Sequence, residues 1–87
     1  MKVYFTPRAL VEYQYFERKQ KKLARRIQTL CEDIKKTPFA GLGKPEPLWH
    51  TLSGYWSRRI DQTHRLVYGI EDDKIVIYKC RNHYDDK

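Results

Sequence analysis

Residues 43–68 read GKPEPLWHTLSGYWSRRIDQTHRLVY, and the strand expected to pair with their C-terminal part ends in KCRNHY at 79–84. The runs from about Pro47 to Leu52, Tyr55 to Asp61 and His64 to Ile70 are short, rich in aromatic and β-branched residues, and divided by turn residues such as Ser53 and Gly54. They read as strands. EDDK at 71–74 makes a last hairpin, and IVIYKCRN at 75–82 completes the sheet. The two stretches also gather Lys44, Glu46, Arg58, Arg59, Arg65, Arg81, His83 and Tyr84. One carboxylate and one histidine among many cations suit a protein that holds a phosphate and moves protons around it.

Working outward, PFAGLGKPEP at 38–47 contains prolines and glycines that exclude regular structure, so it reads as an ordered loop anchored by Phe39 and Leu42. Upstream, MKVYF alternates, and residues 2–6 read as a first strand with Val3 and Phe5 on one face. Thr6 and Pro7 then start a helix, Thr6 as cap and Pro7 at the first helical position. Leu10, Tyr13 and Phe16 form its expected apolar stripe, to about Arg18. Leu23, Ile27, Leu30, Cys31 and Ile34 follow the helical period in a second helix, which stops near Thr37 because Pro38 disfavours helical geometry before it. The fold class is therefore α+β, in the order β-α-α-β-β-β-β. Two N-terminal helices pack on one face of a mainly antiparallel twisted sheet.

Strand parity refines the site. Arg65, Lys79, Arg81 and His83 are odd-numbered and alternate with Leu66, Tyr68, Ile70, Val76, Tyr78 and Cys80. If the helices cover the even face, Arg65, Arg81 and His83 converge on the open one, which requires partner numbers in the last hairpin to sum to an even value. Ile75 and Ile77 then fall on the open side. Adjacent Arg58 and Arg59 must face opposite ways, and Arg59 shares the odd parity.

With 87 residues the chain is one domain, since a chain this short buries only about 60 to 65% of its unfolded surface. A 40% hydrophobic and 14% aromatic content supports a folded core. Cys31 and Cys80 lie in apolar patterns without metal-ligand spacing, which favours reduced buried thiols in a cytoplasmic protein. No apolar signal core or membrane-length run is present, so no membrane association is expected. No metal and no cofactor are expected either, because His, Cys and acidic residues do not cluster at ligand spacings. The formal net charge of +7 points to polyanions. It is most concentrated in RKQKKLARR at 18–26, six cations without an acid where one helix gives way to the next. That run is a solvated helix face by default and otherwise a positive band for a polyanion.

TPFAGLGKPEPLWHTLSGYWSRRIDQTHRLVY followed by CRNHY resembles the YoeB/Txe family of toxins within the RelE/ParE superfamily, over nearly the entire chain. GKPEPL, LSGYWSRRI, HRLVY and a terminal HY, in this order, carry the resemblance. It implies a single RelE-like domain over 1–87; residues 85–87 run past the tyrosine at which related chains commonly end, and would oppose RNA if they point inward but not as a frayed tail. It also implies a microbial endoribonuclease that cleaves messenger RNA in the A-site region of both ribosomal subunits, inhibits translation, and is neutralised by a YefM/Phd-type antitoxin. Homodimers on the ribosome are a further implication.

Metal-free RNA cleavage uses the 2′-OH as nucleophile, with a base to take its proton, an acid to protonate the leaving 5′-oxygen, and cations around the phosphorane. Matched by motif, Glu46 is the general base, His83 the general acid and Arg65 the phosphate clamp, while Tyr84 aligns the substrate. Lys44, Arg59 and Arg81 add RNA-binding charge. Trp49 stands where relatives often have lysine and offers a stacking surface for a base instead. The chain also continues past the HY into Asp85, Asp86 and Lys87.

Each residue also has a plainer reading. Taken alone, a Glu between prolines is an exposed loop carboxylate, a His near a chain end is a solvated side chain, and His50, His64, Tyr55 and Trp56 are packing or surface residues. Two other functions remain: a non-catalytic RNA-binding module that uses the basic helices, and a gyrase poison of the ParE type, which the resemblance to the superfamily also implies. The Glu46 and His83 pair argues against both.

Overall fold

The computed structural model describes residues 1–83. Strand β1 (Lys2–Phe5) leads into helices α1 (Pro7–Lys19) and α2 (Lys21–Lys36), followed by strands β2 (Glu46–Pro47), β3 (Trp56–Arg59), β4 (Arg65–Glu71) and β5 (Lys74–Lys79). The sheet order is β1-β5-β4-β3-β2; β1 runs parallel to β5 and all other neighbours are antiparallel. The expected α+β architecture is the observed one.

Thr6 ties the first helix to the sheet. Its hydroxyl accepts from the Ala9 N–H at 3.1 Å as the helix cap and donates to the Tyr78 carbonyl of β5 at 3.0 Å. This sets the phase of α1, whose buried residues are Ala9 and Phe16. Leu10, expected in the stripe, lies one position off the buried line and is exposed. Ala24, Ile27, Leu30, Cys31 and Ile34 of α2 follow the helical period and close over Leu66, Tyr68, Ile75 and Ile77 of the sheet.

The hairpin register corrects the parity expectation. Nearer the turn the pairs are Tyr68↔Ile77, Gly69↔Val76 and Ile70↔Ile75, with odd sums; only beyond a bulge does Val67 pair with Lys79, with an even sum. The bulge falls at Tyr78, so Tyr78 and Lys79 follow one another before the alternation resumes at buried Cys80. Ile75 and Ile77 consequently lie in the core rather than on the open face. A strand from Pro47 to Leu52 is also replaced: only Glu46 and Pro47 pair with β3, and His50–Leu52 form one 3₁₀ turn in which His50 has φ 58°. The β-rich composition of Trp49, His50 and Thr51 gave way to local turn geometry there. Among the described residues, no helix is long and apolar enough to cross a membrane.

Candidate active site

The loop between α2 and β2 owes its shape to a buried arginine. Arg58 points inward from β3 and is fully buried. Its Nη1 donates to Asp33 Oδ2 at 2.6 Å and to the Leu42 carbonyl at 3.1 Å, and its Nη2 to the carbonyls of Thr37 and Ala40 at 2.6 and 2.8 Å. Nε donates to the Tyr68 hydroxyl at 3.2 Å, and that hydroxyl donates to the Pro38 carbonyl at 2.6 Å. Every N–H of the guanidinium thus has an acceptor, as burial of this charge requires. Asp33 Oδ2 also accepts from the Leu42 N–H at 2.9 Å. That N–H, together with Arg58, holds the Asp33 carboxyl below its ordinary range.

Two glycines let the loop pass this close. A Cβ on Gly41, at φ 107°, would lie 2.2 Å from Asp33 Oδ2, and one on Gly43, at φ 80°, would lie 3.0 Å from the Arg59 carbonyl. Gly43 in turn accepts from the Arg59 N–H at 2.6 Å, which aligns the loop end with β3 and delivers Lys44 and Glu46 to the sheet edge.

On the open face, Glu46 pairs with Ser57, Ser57 with Val67, and Arg59 with Arg65. The Arg65 guanidinium reaches along β3. Nη2 donates to Glu46 Oε1 at 3.0 Å and to Ser57 Oγ at 2.8 Å, and Nε donates to the same hydroxyl at 3.2 Å. Arg65 is buried at 8% exposure, whereas the Glu46 side chain is 52% exposed, so the carboxylate sits where a solute can meet it. Arg59 is exposed directly across from Arg65, a like-charged cross-strand pair that an anion would relieve. Lys44 is exposed beside Glu46 in the chain, and Trp49 is 63% exposed.

His83 is exposed and lines a depression with Leu52, Tyr55, Val67, Tyr78 and Lys79 that extends to Thr6 and Arg8 at the start of α1. Glu46, Ser57, Val67 and Lys79 form one row across the sheet, and His83 lines the depression at its Val67 and Lys79 end. Arg81 does not join them. Its guanidinium stacks over the Tyr15 ring of α1, 3.8 Å from the centroid, because the strand ends at Lys79 and the chain bends away at Arg81 and Asn82. The expected convergence of Arg65 and Arg81 is therefore corrected. Tyr84 and residues 85–87 lie outside the described residues.

Sequence alone assigns Ser57 no role, and Arg58 none beyond facing away from Arg59. Ser57, buried and bonded twice to Arg65, was hidden because a lone serine in a strand has no signature. Arg58 left a readable trace: an inward-facing strand arginine needs acceptors, and the carbonyls of a Gly/Pro loop without regular structure supply them.

The description "YoeB-like toxin of bacterial type II toxin-antitoxin system" matches residues 5–84. The toxin YoeB of Escherichia coli (strain K12) is 46% identical over 84 residues, covering 97% of this chain and 100% of the relative. Among solved structures, a YoeB/ParE toxin from Agrobacterium tumefaciens superposes with a TM-score of 0.94 at 41% identity, covering 97% of this chain and 100% of its own. The toxin chain of a YoeB-YefM complex from Staphylococcus aureus does so with a TM-score of 0.89 at 42% identity, covering 94% and 95%. The chain belongs to the YoeB family of toxins of bacterial type II toxin–antitoxin systems.

Proposed function

We propose that the protein is a ribosome-dependent endoribonuclease that cuts messenger RNA by attack of the 2′-OH on the adjacent phosphate, and so inhibits translation in the cytoplasm. The observation that carries this reading is the contact between a solvent-accessible carboxylate and a buried guanidinium, Glu46 and Arg65, beside a sheet row whose far end, Val67 and Lys79, lines a depression with His83. Glu46 takes the 2′-OH proton, Arg65 stabilises the charge that grows on the phosphorane, and His83 protonates the departing 5′-oxygen. Ser57 fixes the Arg65 fork before substrate arrives, so little reorganisation is needed at reaction. Arg59 and Lys44 neutralise neighbouring phosphates, Trp49 stacks on a base, and Tyr84 aligns the substrate. Arg81 contributes charge from the side of α1.

A YefM-type antitoxin with an acidic segment would fold over the same cations, exchanging phosphate for carboxylate partners. The relative from Staphylococcus aureus solved with YefM supports such a partner. The test supplies messenger RNA either naked or engaged on ribosomes with an occupied P site. Cleavage of the engaged message by wild type, lost in Glu46→Ala, Arg65→Ala and His83→Ala, is expected. Equal binding with no cleavage would make the protein a non-catalytic RNA-binding module instead.

A further inference from the structure

The segment that carries His83 is not part of the sheet, and its anchorage is unusual. The backbone carbonyls of three successive residues, Arg81, Asn82 and His83, converge on the Lys79 ammonium, those of Asn82 and His83 at 3.3 and 2.8 Å. An ammonium has three N–H donors, and all three are used. Lys79 is only 8% exposed. The nearby Glu12 carboxylate of α1 is engaged elsewhere, accepting from the Cys80 N–H at 2.8 Å and from Arg8 Nε at 3.2 Å. The buried charge is thus balanced by carbonyl dipoles, the arrangement that favours cations at helix C-termini.

Two further bonds complete the hook. Asn82 adopts φ 63°, its N–H donates to His64 Nδ1 at 2.7 Å, and its carbonyl accepts from the Arg65 N–H at 3.2 Å. The residue whose side chain touches Glu46 therefore holds the His83 segment by its backbone.

We propose that Lys79 is a positioning residue, whose ammonium clamps the turn at 81–83 and so sets the His83 imidazole over the open face. The inference rests on the reading of His83 as general acid. Lys79 does not serve as an RNA ligand, because its donors are spent on the chain itself. Nor is it there for stability, since a buried ammonium is costly to desolvate and water can take over the carbonyls of exposed Asn82 and His83 once it is gone. Burial pushes its own proton affinity down, in keeping with a charge kept for geometry at the expense of solvation.

The test compares wild type with Lys79→Met and Lys79→Arg by three readouts: cleavage of ribosome-engaged message, hydrogen exchange of the Asn82 and Arg65 amides, and the His83 ring resonances. Lys79→Met is expected to lower kcat about 10- to 100-fold, the scale of a misplaced catalytic group, with KM unchanged. The two amides should exchange faster, the His83 resonances should move toward those of a mobile imidazole, and the melting temperature should not fall. Lys79→Arg, which keeps the charge, should recover part of the protection.

A raised KM with unchanged kcat would overturn the proposal by making Lys79 an RNA contact, as would unaltered exchange and His83 resonances in Lys79→Met. If wild type cuts no RNA, the proposed activity fails while exchange and ring resonances still decide the clamp. If the variants do not fold, the wild-type spectrum decides it. A slowly exchanging Lys79 ammonium coupled through hydrogen bonds to the carbonyl carbons of residues 81–83 supports the clamp, and a solvent-like ammonium overturns it.

Discussion

Glu46 Oε1 lies 3.0 Å from Arg65 Nη2, joining the only acidic residue of the loop at 38–47 to the buried cation of β4. The pair is weak as a structural bond: Glu46 is half exposed, and such contacts contribute roughly 0 to 1 kcal/mol. On the proposed function its value lies in chemistry. Glu46→Gln is therefore expected to leave the urea midpoint nearly unchanged and to lower single-turnover cleavage by about 10²- to 10⁴-fold, the range for loss of a general base. A variant that unfolds early while cleaving normally would reverse the assignment.

Arg58 carries the opposite expectation. It touches no surface that substrate can reach, yet it ties Asp33 and the carbonyls of Thr37, Ala40 and Leu42 together. Arg58→Met removes the one donor that ties those acceptors together and should destabilise by about 3 to 5 kcal/mol, as for a broken buried ion pair. Chemical denaturation measures this directly. A loss below about 1 kcal/mol, the scale of an exposed ion pair, would show that the loop keeps its shape without the staple.

The same staple predicts a dependence on acid. The Leu42 N–H and Arg58 hold the folded Asp33 carboxyl below its ordinary value of 3.8. A carboxyl depressed in the folded state adds stability that is complete above the unfolded value and disappears as pH falls through the folded one. Wild type should thus lose stability below about pH 4 more steeply than Asp33→Asn. Parallel curves from pH 5 to 2 would remove Asp33 from the account.

Both thiols should be inert in the native protein. Burial pushes Cys31 and Cys80 up to about 12 from 9.0, with Glu32 and Glu12 adding to the respective shifts. The unfolded thiols ionise first, so this contribution to stability declines as pH rises past 9.0. At pH 8 iodoacetamide should label neither cysteine until denaturant is added; prompt native labelling would contradict their burial.

How far the sequence foretold this structure depends on what sets each feature. Helix α2 was legible because Ile27, Leu30, Cys31 and Ile34 repeat with the helical period, and Thr6–Pro7 marked the start of α1 by cap chemistry alone. The exchange of faces at Tyr78 was not, because a bulge inserts one residue without a composition of its own and reverses every parity argument on one side of it. Parity therefore misplaced Ile75 and Ile77, and drew Arg81 to the open face although Tyr15 of α1 holds it. Glu46, Arg59 and Arg65 gather because β2, β3 and β4 pair through short connections, whereas Ser57 and Lys79 gain their roles only from partners distant in sequence.

The chemistry of the new RNA ends tests the central claim most directly. Fragments from ribosome-engaged message should carry a 2′,3′-cyclic phosphate or its 3′-phosphate product on one side of the cut and a 5′-hydroxyl on the other, and none should form with Glu46→Gln. Fragments bearing a 3′-hydroxyl and a 5′-phosphate would contradict attack by the 2′-OH, and with it the roles given to Glu46, Arg65 and His83.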